Sequence, residues 1–149
     1  MTGLTIDHQT WILVADGEKA LFLENTGDAT LPNFAVRRVE EHENPPDREQ
    51  GTDKPGRMAD DAPGSHRSSV AETDWHEIEK DRFAREVADI LYKMAHRNRF
   101  KKMVIVAPPH ILGDLRQEMH KEVADRVVGE LPKTLTNHPI DKIENLLAA

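Results

Sequence analysis

Five basic side chains, Lys93, Arg97, Arg99, Lys101 and Lys102, fall within ten residues with no acidic residue among them. The whole chain of 149 residues carries a net charge of −7. That balance excludes a globally basic nucleic-acid binder and leaves room for a local basic patch. Such a run can hold phosphate backbones through Coulomb attraction and counterion release. It serves equally well to complement the dipole at a helix C-terminus and to solvate the turn before a buried strand. Only Tyr92 and Phe100 are close aromatics, so the stacking platform of a single-strand reader is nearly absent.

Acidic residues offer a second chemistry. Two-metal nucleases need several carboxylates converging on a pair of cations. Asp16 ends a β-rich run, and Asp114 and Asp141 fall in the first turns of two expected helices. Each also has a plain structural role: Asp16 opens an Asp-Gly turn, and the other two face favourable helix N-terminal dipoles. The eight histidines (His8, His42, His66, His76, His96, His110, His120 and His138) form no close ligand pair. Ser65, Ser68 and Ser69 flank His66. Nothing beside them supplies a held base and oxyanion hole. No P-loop, Gly-x-Gly-x-x-Gly or Gly-x-Ser-x-Gly elbow is present in the sequence. No catalytic residue, metal or cofactor is assigned from these residues.

The elements that must position the basic run follow from patterning. Trp11–Ala15 reads as a buried strand, Asp16-Gly17 as a tight turn and Ala20–Leu23 as the returning strand. Phe34–Glu41 reads as an edge strand, because Arg37 and Arg38 interrupt its apolar face. Asp74 and Glu77 form a capping box for a helix ending near Asn98. Its seam is Trp75, Ile78, Phe83, Val87, Ile90, Leu91 and Met94. Met103–Ala107 is apolar without alternation, as in a strand covered on both faces. Pro108 stops it, and Pro109 suits the first turn of the next helix. Leu112, Leu115, Met119, Val123, Val127 and Leu131 give that helix its seam. Lys133–Thr136 reads as a last strand, and Pro139 starts a helix with Ile140, Ile143, Leu146 and Leu147.

The expected architecture is therefore α/β, a mixed five-stranded sheet flanked by helices and ribonuclease-H-like, in the order β-β-β-long loop-α-β-α-β-α. The length predicts a single domain over 1–149. Asn44–Glu72 carries four Pro, three Gly and, as large apolar side chains, only Met58 and Val70. It is read as a long mobile loop. Its cations, Arg48, Lys54, Arg57 and Arg67, are outnumbered by six acids. The loop alone does not attract RNA, although Arg57 and Arg67 remain candidates for contact with a partner. The absence of cysteine excludes disulfides and thiol catalysis. No apolar run reaches the roughly 18 residues of a membrane span, and Met1–Thr10 lacks the features of a secretory signal. The expected location is cytoplasmic.

Several stretches carry a resemblance to a known family. They are Trp11-Ile-Leu-Val-Ala-Asp-Gly17, Ala20-Leu-Phe-Leu-Glu24, Pro55-Gly-Arg57, Phe83-Ala-Arg-Glu-Val-Ala88 and above all Val104-Ile-Val-Ala-Pro-Pro-His-Ile-Leu-Gly-Asp-Leu-Arg116. Together they resemble the bacterial host attachment protein family, over about Trp11 to Leu147. That family is similar to the middle domain of archaeal and eukaryotic peptide-chain release factors and of Pelota. The resemblance implies a ribonuclease-H-like unit and a ribosome or RNA as partner. The Gly-Gly-Gln of true release factors is missing. Glu49-Gln-Gly51 is the nearest stretch and has the wrong order, so peptidyl-tRNA hydrolysis is not carried over. In the motif Pro108, Pro109, Gly113, Asp114 and Arg116, the prolines fix a turn and Gly113 is expected to let the helix pack closely on the sheet. Arg116 is expected to pair with Asp114 or with an outside anion.

These readings together describe a non-enzymatic cytoplasmic binding protein, associated with a ribosome, RNA or a protein partner and without a membrane span. Two alternatives stand beside it. One is an interaction or regulatory protein needed indirectly for attachment to host cells. The other is a metal-dependent nuclease or peptidyl-tRNA hydrolase.

Overall fold

Strands β1 (Trp11–Ala15) and β4 (Met103–Val106) are the most apolar runs of the chain, and every residue in both is buried. They pair in parallel at the centre of a five-stranded sheet of order β3-β2-β1-β4-β5. β2 (Lys19–Asn25) returns antiparallel to β1, and β3 (Phe34–Glu41) pairs antiparallel with β2 to form one edge. β5 (Val127–Leu131) pairs in parallel with β4 at the other edge. The sheet is mixed and ribonuclease-H-like, as expected. A computed structural model describes residues 5–41 and 81–148. The Asn44–Glu72 segment with Arg57 and Arg67, and the Asp74 cap with Trp75 and Ile78, lie outside the described residues.

Alternation along the central strands divides the core in two. Trp11, Leu13, Ala15, Phe22, Met103 and Ile105 face helix α1 (described from 81 to 96), α2 (Pro109–Glu118) and the single turn α3 (Lys121–Ala124). Ile12, Val14, Leu21, Leu23, Val104 and Val106 face α4 (Ile140–Ala148) through Ile143 and Leu147. Each fully buried side chain of this size contributes about 1.5–3 kcal/mol. The two-faced burial explains why β4 shows no polar alternation.

Two expectations are corrected here. The apolar seam from Leu112 to Leu131 is not one helix. α2 ends at Glu118, where Met119 turns to extended backbone, and His120 caps α3 by accepting a hydrogen bond from the Glu122 amide. The chain then enters β5, so Val127–Leu131 is the last strand and Lys133–Thr136 is not. The register explains the misreading. Met103 pairs with Val127 but Val104 pairs with Gly129, leaving Val128 as an extra residue and half exposed. The bulge swaps the faces, so Val127 packs on one core and Leu131 on the other. No two-residue period survives to mark the strand.

The second correction concerns Gly113. The buried residues of α2 are Ile111, Leu112 and Leu115, and a Cβ on Gly113 would meet no described atom within 4 Å. Gly113 does not serve close packing on the sheet. Glycine in a helix interior costs about 0.5–1 kcal/mol relative to alanine. Gly113→Ala is therefore expected to raise stability by about that amount, read as a higher urea midpoint at unchanged slope.

Candidate functional site

The basic run begins where α1 ends. Asn98 takes the left-handed conformation, φ 57°. The Asn98 amide donates to the Ala95 carbonyl and the Arg99 amide to the Met94 carbonyl, at 2.9 Å each. This is a Schellman cap with asparagine in the place that glycine usually fills. Arg126, just before β5, fastens the turn from outside. Its guanidinium donates to the Phe100 carbonyl at 2.6 Å and to Asn98 Oδ1 at 3.2 Å, and lies 5.9 Å from the centre of the Phe100 ring. Phe100 packs against Trp11, 6.4 Å between ring centres. Aromatic anchors below and a cap above thus hold the turn.

The five basic residues are not equivalent. Lys93 pairs with Asp89 at 3.0 Å, and Lys102 with Asp7 at 3.2 Å. Both pairs are exposed, where an ion pair is worth about 1 kcal/mol or less. The side chains of Arg97, Arg99 and Lys101 have no hydrogen-bond or ion-pair partner among the described residues and are exposed.

Two further cations join them that patterning assigned only to edge protection. In β3, Val36 pairs with Leu23 and Arg38 with Phe22, so Arg37 is an extra, bulged residue. A bulge re-aims side chains, and here Arg37 and Arg38 both line one groove with Lys93, Met94, Arg97 and Arg99. Trp11 and Ile90 contribute its apolar wall, and the volume is about 600 Å³. Arg37 is held by Glu24 at 2.9 Å, and Arg38 by Glu40 at 2.7 Å. A second hollow of about 280 Å³ adjoins the first and carries Lys101 and Lys102, and the two share Glu24 and Arg99. Among its described lining residues the larger groove has five cationic side chains and one carboxylate. Only a fold-dependent bulge brings Arg37 and Arg38 to this face, so sequence spacing gave no signal of it.

The remaining candidates lie elsewhere. Pro109 is the first residue of α2, and the Pro108 carbonyl accepts the Leu112 amide at 2.9 Å. Arg116 pairs with Glu130 of β5, not with Asp114, which corrects that expectation. The hydrogen bond that Arg116 donates to Glu130, and then the Glu130 charge, hold the Arg116 guanidinium above its ordinary pKa. Asp114 lies 3.5 Å from His110. Asp16 accepts the Glu18 and Lys19 amides on one oxygen and the Thr136 hydroxyl, at 2.6 Å, on the other. Among the described residues no three His, Asp or Glu side chains gather as a cation site. No described helix is long and apolar enough to cross a membrane.

With this geometry in hand, comparison with known proteins identifies the family. The model of the bacterial archaeo-eukaryotic release factor family 12 matches residues 9–147. The chain belongs to that family. It is also 33% identical over 79 residues to an uncharacterized protein of Rickettsia prowazekii (strain Madrid E). That match covers 52% of this chain and 53% of the relative, so the chain spans about half the length of the curated relative it matches. The family match supports the release-factor side of the resemblance; host attachment is shown by neither match. The release-factor match includes α1, the capped turn and the bulged edge of β3, and so all seven cations described above.

The clamp on the turn gives a direct expectation. Arg126→Ala removes two hydrogen bonds from a charged donor: the partly buried one to the Phe100 carbonyl is worth about 1.5–3 kcal/mol, and the exposed one to Asn98 less. The Asn98 and Arg99 amides should then exchange with solvent faster than those of β1, which stay protected.

Proposed function

We propose that this release-factor-family protein is a non-enzymatic binding protein that associates with ribosomal or other RNA through the groove between α1 and β3. The observation that carries this reading is the set Arg97, Arg99 and Lys101, displayed without counter-ions among the described residues in a chain of net charge −7. Cations without a partner among the described residues, on a turn held by its cap and clamp, form phosphate contacts without first breaking a described pair. Arg37, Arg38 and Lys93 add contacts at small cost, since their exposed pairs are weak. Arginine suits this role because its planar fork engages phosphate oxygens in pairs. Family membership supports the ribosome as the setting, and a cytoplasmic location belongs to the same proposal.

Counterion release makes such binding salt-dependent. A groove that engages about four phosphates loses about a hundredfold in affinity between 50 and 200 mM salt. Co-sedimentation with ribosomes should fall steeply over that range. Arg99→Glu combined with Lys101→Glu should abolish it at intermediate salt. Lys102→Glu alone should weaken it less than the double change, because it costs one phosphate contact where the double change costs two. Sedimentation indifferent to salt and to the double change would place the contact elsewhere.

A further inference from the structure

Glu24 is out of place in a site meant for phosphate alone. It lines both hollows, at their junction, among Arg37, Arg38, Arg97 and Arg99. The register holds it there: Glu24 lies between Trp11 of β1 and Ala35 of β3, on the groove face of the sheet. One oxygen accepts the Arg37 Nε–H at 2.9 Å, and the other has no hydrogen-bond partner among the described residues. The side chain is 19% exposed, so it is open to a ligand. A carboxylate offers about four acceptor positions and no donor. Toward phosphate it is repulsive. Toward a hydroxyl between two phosphates it is the matching group.

Among the described residues the groove offers no open aromatic face. Trp11 is 7% exposed and Phe100 is 2% exposed. Tyr92 packs on His96 and His120 and lines neither hollow. The described lining therefore gives bases no stacking partner and favours recognition through the backbone. The RNA backbone differs from that of DNA by the 2′-hydroxyl, a donor set beside each phosphate.

We infer that the groove reads the ribose-phosphate backbone of RNA independently of sequence, with Glu24 accepting a hydrogen bond from a 2′-hydroxyl while the flanking arginines hold the neighbouring phosphates. This rests on the RNA-binding reading above and adds the basis of selectivity. Glu24 has two parts in it: one oxygen orients Arg37, and the other receives the ribose.

The test compares a duplex RNA with its fully 2′-fluoro counterpart, which keeps the phosphates and removes the hydroxyl donor. The wild-type chain should bind the unmodified duplex about tenfold more tightly. It should bind two unrelated sequences equally. Glu24→Ala should bring the ratio near one, and Glu24→Gln, which keeps an acceptor oxygen, should retain part of it. The wild-type comparison needs no variant, so a folding defect in Glu24→Ala does not blunt the test. Equal binding of both duplexes by the wild type would overturn the inference, leaving Glu24 as a positioning residue for Arg37. If ribosome sedimentation persists in that case, the parent reading stands. If neither duplexes nor ribosomes are bound, both fall.

Discussion

Everything on the groove side of the molecule depends on how the chain enters β4. That strand is buried on both faces and paired on both edges, so its first residue cannot shift without moving two cores. The six residues between the end of α1 and Met103 must reverse direction while satisfying the last helical carbonyls. The left-handed Asn98 and its two backbone bonds do this, and Arg126 fastens the result. In a turn so constrained, the side chains at 97, 99 and 101 are left outside. Basic residues there also favour the negative end of the helix dipole. The fold and the proposed phosphate site therefore share one element, and the structural role of the basic run does not compete with the proposed binding role.

Two β-bulges shape the rest. The one at Arg37 puts consecutive arginines on the same side of the edge strand and completes the groove opposite α1. The one at Val128 moves β5 out of phase, so that Glu130 faces α2 and receives Arg116 while Leu131 joins the α4 core. Buried Asn25 shows the same economy of polar groups. Its amide donates to the Ile6, Asp7 and Asp28 carbonyls, and its oxygen accepts the Gly27 and Asn33 amides. A buried amide satisfied this fully costs little and fixes the end of β2.

Patterning reached far where one period ruled an element. The central strands, the described part of the α1 seam from Phe83 to Met94, the proline start of α2 and the edge position of β3 could all be read from residue order. It failed where a bulge broke the period. Val127 and Leu131, four residues apart, mimic a helical seam although they point to opposite faces of a strand. The same blindness hid Arg37 and Arg38, whose convergence with Arg97 and Arg99 depends on pairing between distant strands. Gly113 departs from expectation for another reason: glycine in a helix suggests close approach, and the direction of its missing side chain follows only from how α2 lies on the sheet. The pairing of Arg116 with Glu130 likewise required β5 in its true place.

The central proposal is spatial: it places RNA on the side of the sheet that carries α1 and the bulged edge, not on the side covered by α4. Backbone amide shifts followed by NMR during titration with a short duplex RNA test it most directly. The account expects the changes to concentrate at residues 35–38, at Glu24 and at 93–102, with 140–147 unmoved. Changes centred on α4, or an unperturbed 97–102 turn at saturating RNA, would contradict it.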